Sequence, residues 1–169
     1  LTAYNFKARF IEPIRAGTKR QTIRAERLGR SRHARPGEVL QIYTALRTKR
    51  TELLGYATCV RVRSIRFEFS ACRNIGESRI YISGGEGMPW RRFCPTSLDA
   101  FARRDGFEDW GELREFWALE HDGVREFEGA LIEWDGFRQA GLKGEISPAF
   151  DAALKRAPRR RHWVNVSGR

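Results

Sequence analysis

From Gly17 to Arg27 the chain reads GTKRQTIRAER, with four cationic side chains, Lys19, Arg20, Arg24 and Arg27, grouped around Thr22. A hydroxyl beside an amine and several guanidiniums can supply a nucleophile, a proton acceptor and positive charge. Thr22 can be the nucleophile, and Lys19 can take its proton if burial and the neighbouring Arg20 and Arg24 lower its pKa. Lys19 can instead stay charged and stabilise an oxyanion; the two roles exclude each other. The same charge would attract and hold an anionic or electron-rich ligand. A purely structural assignment also exists, with Lys19 favoured by a helix C-terminal dipole and Thr22 an exposed strand residue.

A second constellation is YTALRTKR, Tyr43 to Arg50. The Tyr43 ring can stack on a base or its phenol can move a proton, while Arg47, Lys49 and Arg50 can hold phosphates. Tyr43 with Lys49 would be the catalytic pair of a ribonuclease; the alternative is a solvated hairpin tip. Trp90-Arg91-Arg92-Phe93 has a similar aromatic and basic mixture.

Other chemistries lack their patterns. His33, His121 and His162 show no ligand spacing such as HxxxH, so no metal is expected and no cofactor is implied. Gly84 to Gly87 reads as a connection rather than a phosphate cradle, and there is no GxSxG elbow. Cys59, Cys72 and Cys94 are odd in number and widely spaced, which indicates neither a disulfide framework nor a CxxC site and suits a reducing cytoplasm.

These residues need a scaffold. TAYNF (Thr2 to Phe6) reads as a strand. Phe10, Ile11 and Ile14 have helical spacing, with Gly17 as the stop. QTIR then reads as a short strand with Ile23 inward and Thr22 and Arg24 outward, so Lys19, three residues from Thr22, must lie in the turn before it. Glu38 to Tyr43 alternates with Leu40 and Ile42 on one face; Leu53 to Phe69 and Arg79 to Ser83 suit a hairpin. Ser97 and Asp109 are N-caps of two helices, the second forming a capping-box pair with Glu112, and Gly106 stops the first. Phe127 to Trp134 reads as a last buried strand. The order β-α-β-β-β-β-α-α-β leaves no room for repeated βαβ crossovers. It predicts an α+β fold, a small mixed β-barrel with helices packed outside.

The chain has 169 residues, enough for one core, with 32 Lys and Arg against 21 Asp and Glu. The charge is uneven: net +11 over residues 1–63, −5 over 64–140 and +5 over 141–169. A pI near 10.4 points to a polyanionic partner such as nucleic acid. A membrane surface is the competing reading, but no long apolar run, signal sequence, basic amphipathic helix or lipidation motif supports it.

GTKRQTIRAER, PGEVLQIYTALRTK, LLGYATCVRV, DGFEDWGELREFW and FEGALIEW, in that order, resemble the ASCH domain of the PUA-like superfamily, with Gly17-x-Lys19-x-x-Thr22-x-Arg24 the most specific piece. The resemblance spans roughly residues 4–134. It implies an ASCH domain over residues 1–140 followed by a basic extension, 141–169. It also implies a PUA-like barrel whose cleft faces RNA or a modified nucleoside. Some members of that family deacetylate acetylcytidine; others bind or cleave single-stranded RNA. In the hydrolase branch a Lys and a Thr act with a Glu from a later helical region. Their counterparts here are Lys19, Thr22 and Asp105, the last one methylene shorter than the family's Glu. The expectation is therefore RNA or nucleoside binding by Arg20, Arg24, Arg27, Tyr43, Arg47, Lys49 and Arg50, with hydrolysis at Lys19, Thr22 and Asp105. The alternatives are a binding module without turnover and a ribonuclease.

Overall fold

A computed structural model of the chain describes residues 1–27, 32–69, 79–83, 88–93 and 97–141. Cys72, Cys94, His162, the Gly84 to Gly87 connection and nearly all of the basic extension lie outside the described residues.

The fold is α+β, with seven strands in one sheet and three α-helices among the described residues. Strand β1 (Thr2–Phe6) leads through a 3-10 turn (Ala8–Phe10) into α1 (Ile11–Arg15), and Gly17 ends the helix with a left-handed φ of 72°. Strands β2 (Gln21–Arg24), β3 (Val39–Thr44), β4 (Glu52–Glu68), β5 (Arg79–Ser83) and β6 (Arg91–Phe93) follow, then α2 (Leu98–Arg104), α3 (Trp110–Glu120) and β7 (Glu126–Gln139). Strand β6 occupies the Arg-Arg-Phe stretch that composition alone reads as basic and aromatic. It is held by pairing with β5, a tertiary effect that three residues cannot signal.

β4 organises the sheet. It is 17 residues long and pairs with β7 along nearly its whole length. Its other edge is shared, β3 pairing with its first half and β5 with its second. β1 adds to β3 in parallel, and β2 adds to β7 antiparallel with Thr22 opposite Ile132. Register shifts in the β4–β7 ladder near Tyr56 and Cys59 bend the strands. Pairing stops at β1 on one side and β2 on the other. Among the described residues the sheet is therefore open, where the sequence suggests a barrel.

The expected caps form. Ser97 accepts from Ala100 N at 2.9 Å and Asp109 from Glu112 N at 2.8 Å. The Glu112 carboxylate, however, turns to Glu108 N, one residue earlier than the usual capping box. The helices bury aromatics against the sheet: Phe67 of β4 meets Phe101, Trp110 and Trp117 edge-on, with ring centroids 5.5 to 6.1 Å apart. This packing seats α2 and α3 on β4. Among the described residues no helix is long and apolar enough to cross a membrane.

Candidate functional site

Lys19 and Thr22 are positioned by the bend between α1 and β2. The backbone N–H groups of Thr18 and Lys19 both donate to Pro13 O at 3.0 Å, turning the chain off the helix end, and Arg20 N donates to Arg104 O at 2.8 Å. The second bond ties the entry of β2 to the last turn of α2. Asp105, the C-cap of that helix, is thereby brought against Lys19, 86 positions earlier in the chain.

Lys19 is only 2% exposed, and Thr22 and Asp105 each 5%. Lys19 Nζ donates to Asp105 Oδ1 at 2.9 Å, to Gln21 O at 3.0 Å and to the carbonyl of Asp105 itself. All three ammonium hydrogens thus have acceptors. A carboxylate at a helix C-terminus opposes the helix dipole; the ammonium on the same residue's carbonyl offsets that conflict. The Lys19 head group also lies 4.5 Å from the centre of the Phe10 ring.

Burial pushes Lys19 below the ordinary lysine range, with Asp105 pulling the other way. Burial likewise pushes Asp105 above the ordinary carboxylate range, against the pull of Lys19 and Arg24. Desolvation penalises both charged forms, and the pair is held by the attraction between them. Gly106 makes the close approach possible: its φ is 90°, and a Cβ there would stand 2.8 Å from Lys19 Cδ and 3.0 Å from Phe10 Cδ1.

Lys19, Thr22, Arg24 and Asp105 line one cleft of about 350 Å³. Thr22, expected to point outward to solvent, is buried because its face of β2 turns into this cleft. Arg24 stands with its guanidinium 4.9 Å from the Phe6 ring and donates to Asn5 O at 2.6 Å. Its Nε is buried without a partner among the described residues. Phe6, Phe10, Phe107, Phe116, Trp117, Phe127 and His121 form the walls.

The His121 ring stacks on Trp117 with centroids 4.4 Å apart. Sequence reasoning missed His121 as a cleft residue. The available signal was its spacing of four residues after Trp117 at the end of a helix, which puts the two rings on one face.

The remaining candidates lie elsewhere. Arg20 is exposed, donates back to Gly17 O at 2.6 Å and lies 3.7 Å from Asp135. Arg27 donates to Ala3 O and to Arg32 O and lines a separate groove with Arg32, Arg35, Arg63 and Trp90. Tyr43 is half-buried on β3, opposite Asn5 of β1. Arg47, Lys49 and Arg50 sit on the exposed β3–β4 hairpin tip, where Ala45 and Arg47 adopt positive φ. The tip touches Asn5, at the cleft's edge, through Leu46 N, but Tyr43, Arg47, Lys49 and Arg50 do not line the cleft.

Among the described residues no group of three or more His, Cys, Asp or Glu side chains could hold a metal ion. Cys59 is buried, with its thiol pushed up to about 11 by desolvation, which leaves it a packing residue rather than a nucleophile. No protein-family model, curated protein or solved structure gives a significant match to the chain.

Proposed function

We propose that the cleft binds RNA or an RNA-derived nucleoside and hydrolyses an acyl amide on it, an acylated cytidine being the substrate of choice. The observation that carries this reading is that Lys19, Thr22 and Asp105, all buried, line one aromatic-walled cleft, with Lys19 paired to Asp105. Its volume falls in the usual range for small-molecule sites, and its rings suit a planar base.

In this mechanism Thr22 Oγ1 bonds to the acyl carbon while the carbonyl opens to an oxyanion. Collapse breaks the C–N bond, and the amine leaves with the proton that Thr22 gave up. Water then cleaves the threonine ester, releasing the carboxylic acid and restoring the hydroxyl. Burial weakens the hold of Lys19 on a proton and strengthens that of Asp105, 2.9 Å away; with that proton on Asp105, the neutral amine of Lys19 can take the proton from Thr22 and give it to the leaving amine. Asp105 anchors Lys19, and Arg24 is available to the oxyanion.

The ASCH resemblance and its PUA-like barrel belong to the same proposal. β1–β3–β4–β7–β2 form a five-strand run, and across the gap between its ends Arg24 and Arg27 donate to Asn5 O and Ala3 O of β1. Side chains thus bridge the place where a closing ladder would run.

A second reading, a binding module without turnover, is favoured by one feature: every Lys19 hydrogen already has a protein acceptor. The two separate on a panel of acylated nucleosides and single-stranded RNAs. The hydrolase reading expects turnover of an acylated cytidine by the purified protein, lost in Thr22→Ala with ligand affinity retained. Lys19→Ala should impair turnover more than Lys19→Arg impairs binding. Binding of RNA with no turnover of any panel member, and equal binding by Thr22→Ala, would leave only the module.

A further inference from the structure

Glu133 of β7 is 6% exposed, and a buried carboxylate has to be paired. It stands on a rung with Gln21 of β2 on one side and Arg61 of β4 on the other. Three guanidiniums converge on it. Arg63 Nη2 lies 2.9 Å from Oε2, Arg104 Nη2 3.2 Å from Oε1 and Arg61 Nε 3.9 Å from Oε2. Arg61 and Arg63, two residues apart on β4, project from the same face. Arg104 arrives from the last turn of α2, held there by the Arg20 N to Arg104 O bond and by Gln21 Nε2 donating to Phe101 O at 3.1 Å.

One carboxylate neutralises one guanidinium, so this cluster carries two positive charges in excess. Each arginine offers Glu133 a single nitrogen of a fork that holds five N–H donors. The side chains of Arg61 and Arg104 are 60% and 55% exposed, and Arg63 Nε is buried with no partner among the described residues. A structural ion pair needs only one cation; three held together repel one another, a repulsion that water screens in part at the exposed Arg61 and Arg104 and that a second anion would relieve. The geometry points to a phosphoryl-binding site on Arg61, Arg63 and Arg104, with Glu133 as the fixed anion that aims their forks.

A tetrahedral phosphoryl oxyanion takes paired N–H bonds from guanidinium forks, which a spherical anion such as chloride cannot use. None of the three arginines lines the Thr22 cleft, so the assignment stands without the hydrolase reading. Arg63 also borders the groove of about 710 Å³ formed with Arg27, Arg32, Arg35 and Trp90. A nucleoside or further nucleotides attached to the phosphoryl group would have room there.

The test is calorimetric titration of the full chain with inorganic phosphate, a nucleoside 5′-monophosphate and a short single-stranded oligonucleotide, at constant ionic strength in chloride. Saturable phosphate binding is expected, weakened about tenfold or more by Arg61→Gln and by Arg104→Gln, the cost of one charge-assisted bond. Arg104→Lys, which keeps the charge but loses the fork, should recover part of the loss. Arg15→Gln, at a cation paired with Glu12 and Glu52, should change nothing. Unchanged melting temperatures of the Arg61 and Arg104 variants keep folding out of the comparison. Equal affinity for phosphate and nucleotide assigns the free ion as ligand, and tighter oligonucleotide binding assigns a polynucleotide backbone. Wild-type protein without saturable phosphate binding, or Arg61→Gln and Arg104→Gln variants that bind as wild type, would overturn the assignment.

Discussion

The Lys19 cleft and the Tyr43 to Arg50 hairpin tip draw on the same residue types, a lysine, arginines, a threonine and an aromatic ring, and the fold treats them in opposite ways. At the tip the cations stand in water on a turn whose hydroxyls serve the loop itself: Thr48 and Thr51 both donate to Ala45 O. In the cleft, helices α2 and α3 and the strand ends remove water. A lysine and an aspartate there lose solvation and are held by each other, by two carbonyls and by aromatic faces, with the charge of Arg24 nearby. Charges at the tip act at long range and are screened by solvent. In the cleft, on the proposed reading, charges act at short range and a proton can be moved at modest cost.

The largest expected difference between the two regions is in stability. Lys19→Ala leaves Asp105 buried without its partner and should lower unfolding free energy by about 3 to 5 kcal/mol. Lys49→Ala at the tip should stay within about 0.5 kcal/mol of wild type. Denaturant melts of the two variants make the comparison, and equal losses would break it.

Replacing both members of the pair separates stability from function. The double variant Lys19→Met with Asp105→Leu should be neutral or more stable by about 1 to 4 kcal/mol while losing the hydrolysis proposed for the cleft. The pH dependence should flatten as well. Asp105 is raised in the folded state, so its contribution is fully present below its ordinary value and is lost as pH rises through the raised value. Lys19 is lowered, so its contribution is present above the ordinary lysine value and is lost as pH falls through the lowered one. Stability against pH for the wild type and the double variant should therefore differ most between the two folded-state values. Parallel curves would mean that the pair is not desolvated.

A smaller effect comes from Gly106. Gly106→Ala must adopt a positive φ and displace Lys19 Cδ, whereas Gly123→Ala has a positive φ but nothing within 4 Å of the new Cβ. The Gly123 variant should lose about 1 to 2 kcal/mol and the Gly106 variant more, together with a fall in ligand affinity. The smallest effect belongs to the tip. Removing Arg47, Lys49 and Arg50 together should leave stability nearly unchanged and flatten the salt dependence of RNA affinity by about one counterion for each phosphate that the tip neutralises. A slope identical to wild type would show that the tip neutralises none.

Much of the scaffold was legible in sequence because local rules decide it. Ser97 and Asp109 cap helices, Gly17 and Gly106 end them, and alternation placed Leu40 and Ile42 in the core. The strand period alone required Lys19 to sit in the turn before β2, where it does sit. What the sequence could not convey is set by packing between distant segments. Thr22 is buried because α3 and β7 wall the face of β2 that would otherwise meet water. The meeting of Lys19 with Asp105 depends on α2 docking through Arg20 and Gln21, and the grouping of Arg61, Arg63 and Arg104 on Glu133 depends on three strands and a helix together. Nothing in the spacing of those residues marks either cluster.

Trapping the covalent intermediate tests the central claim most directly. Wild-type protein mixed with acetylcytidine, quenched within the first turnovers and digested should give a peptide spanning Thr22 that carries one added acetyl group. The Thr22→Ala protein should bind the nucleoside yet give neither acetylated peptide nor free acetate. Acetate release by Thr22→Ala at the wild-type rate, or wild-type protein that binds acetylcytidine and releases none, would contradict a cleft in which Thr22 is the nucleophile.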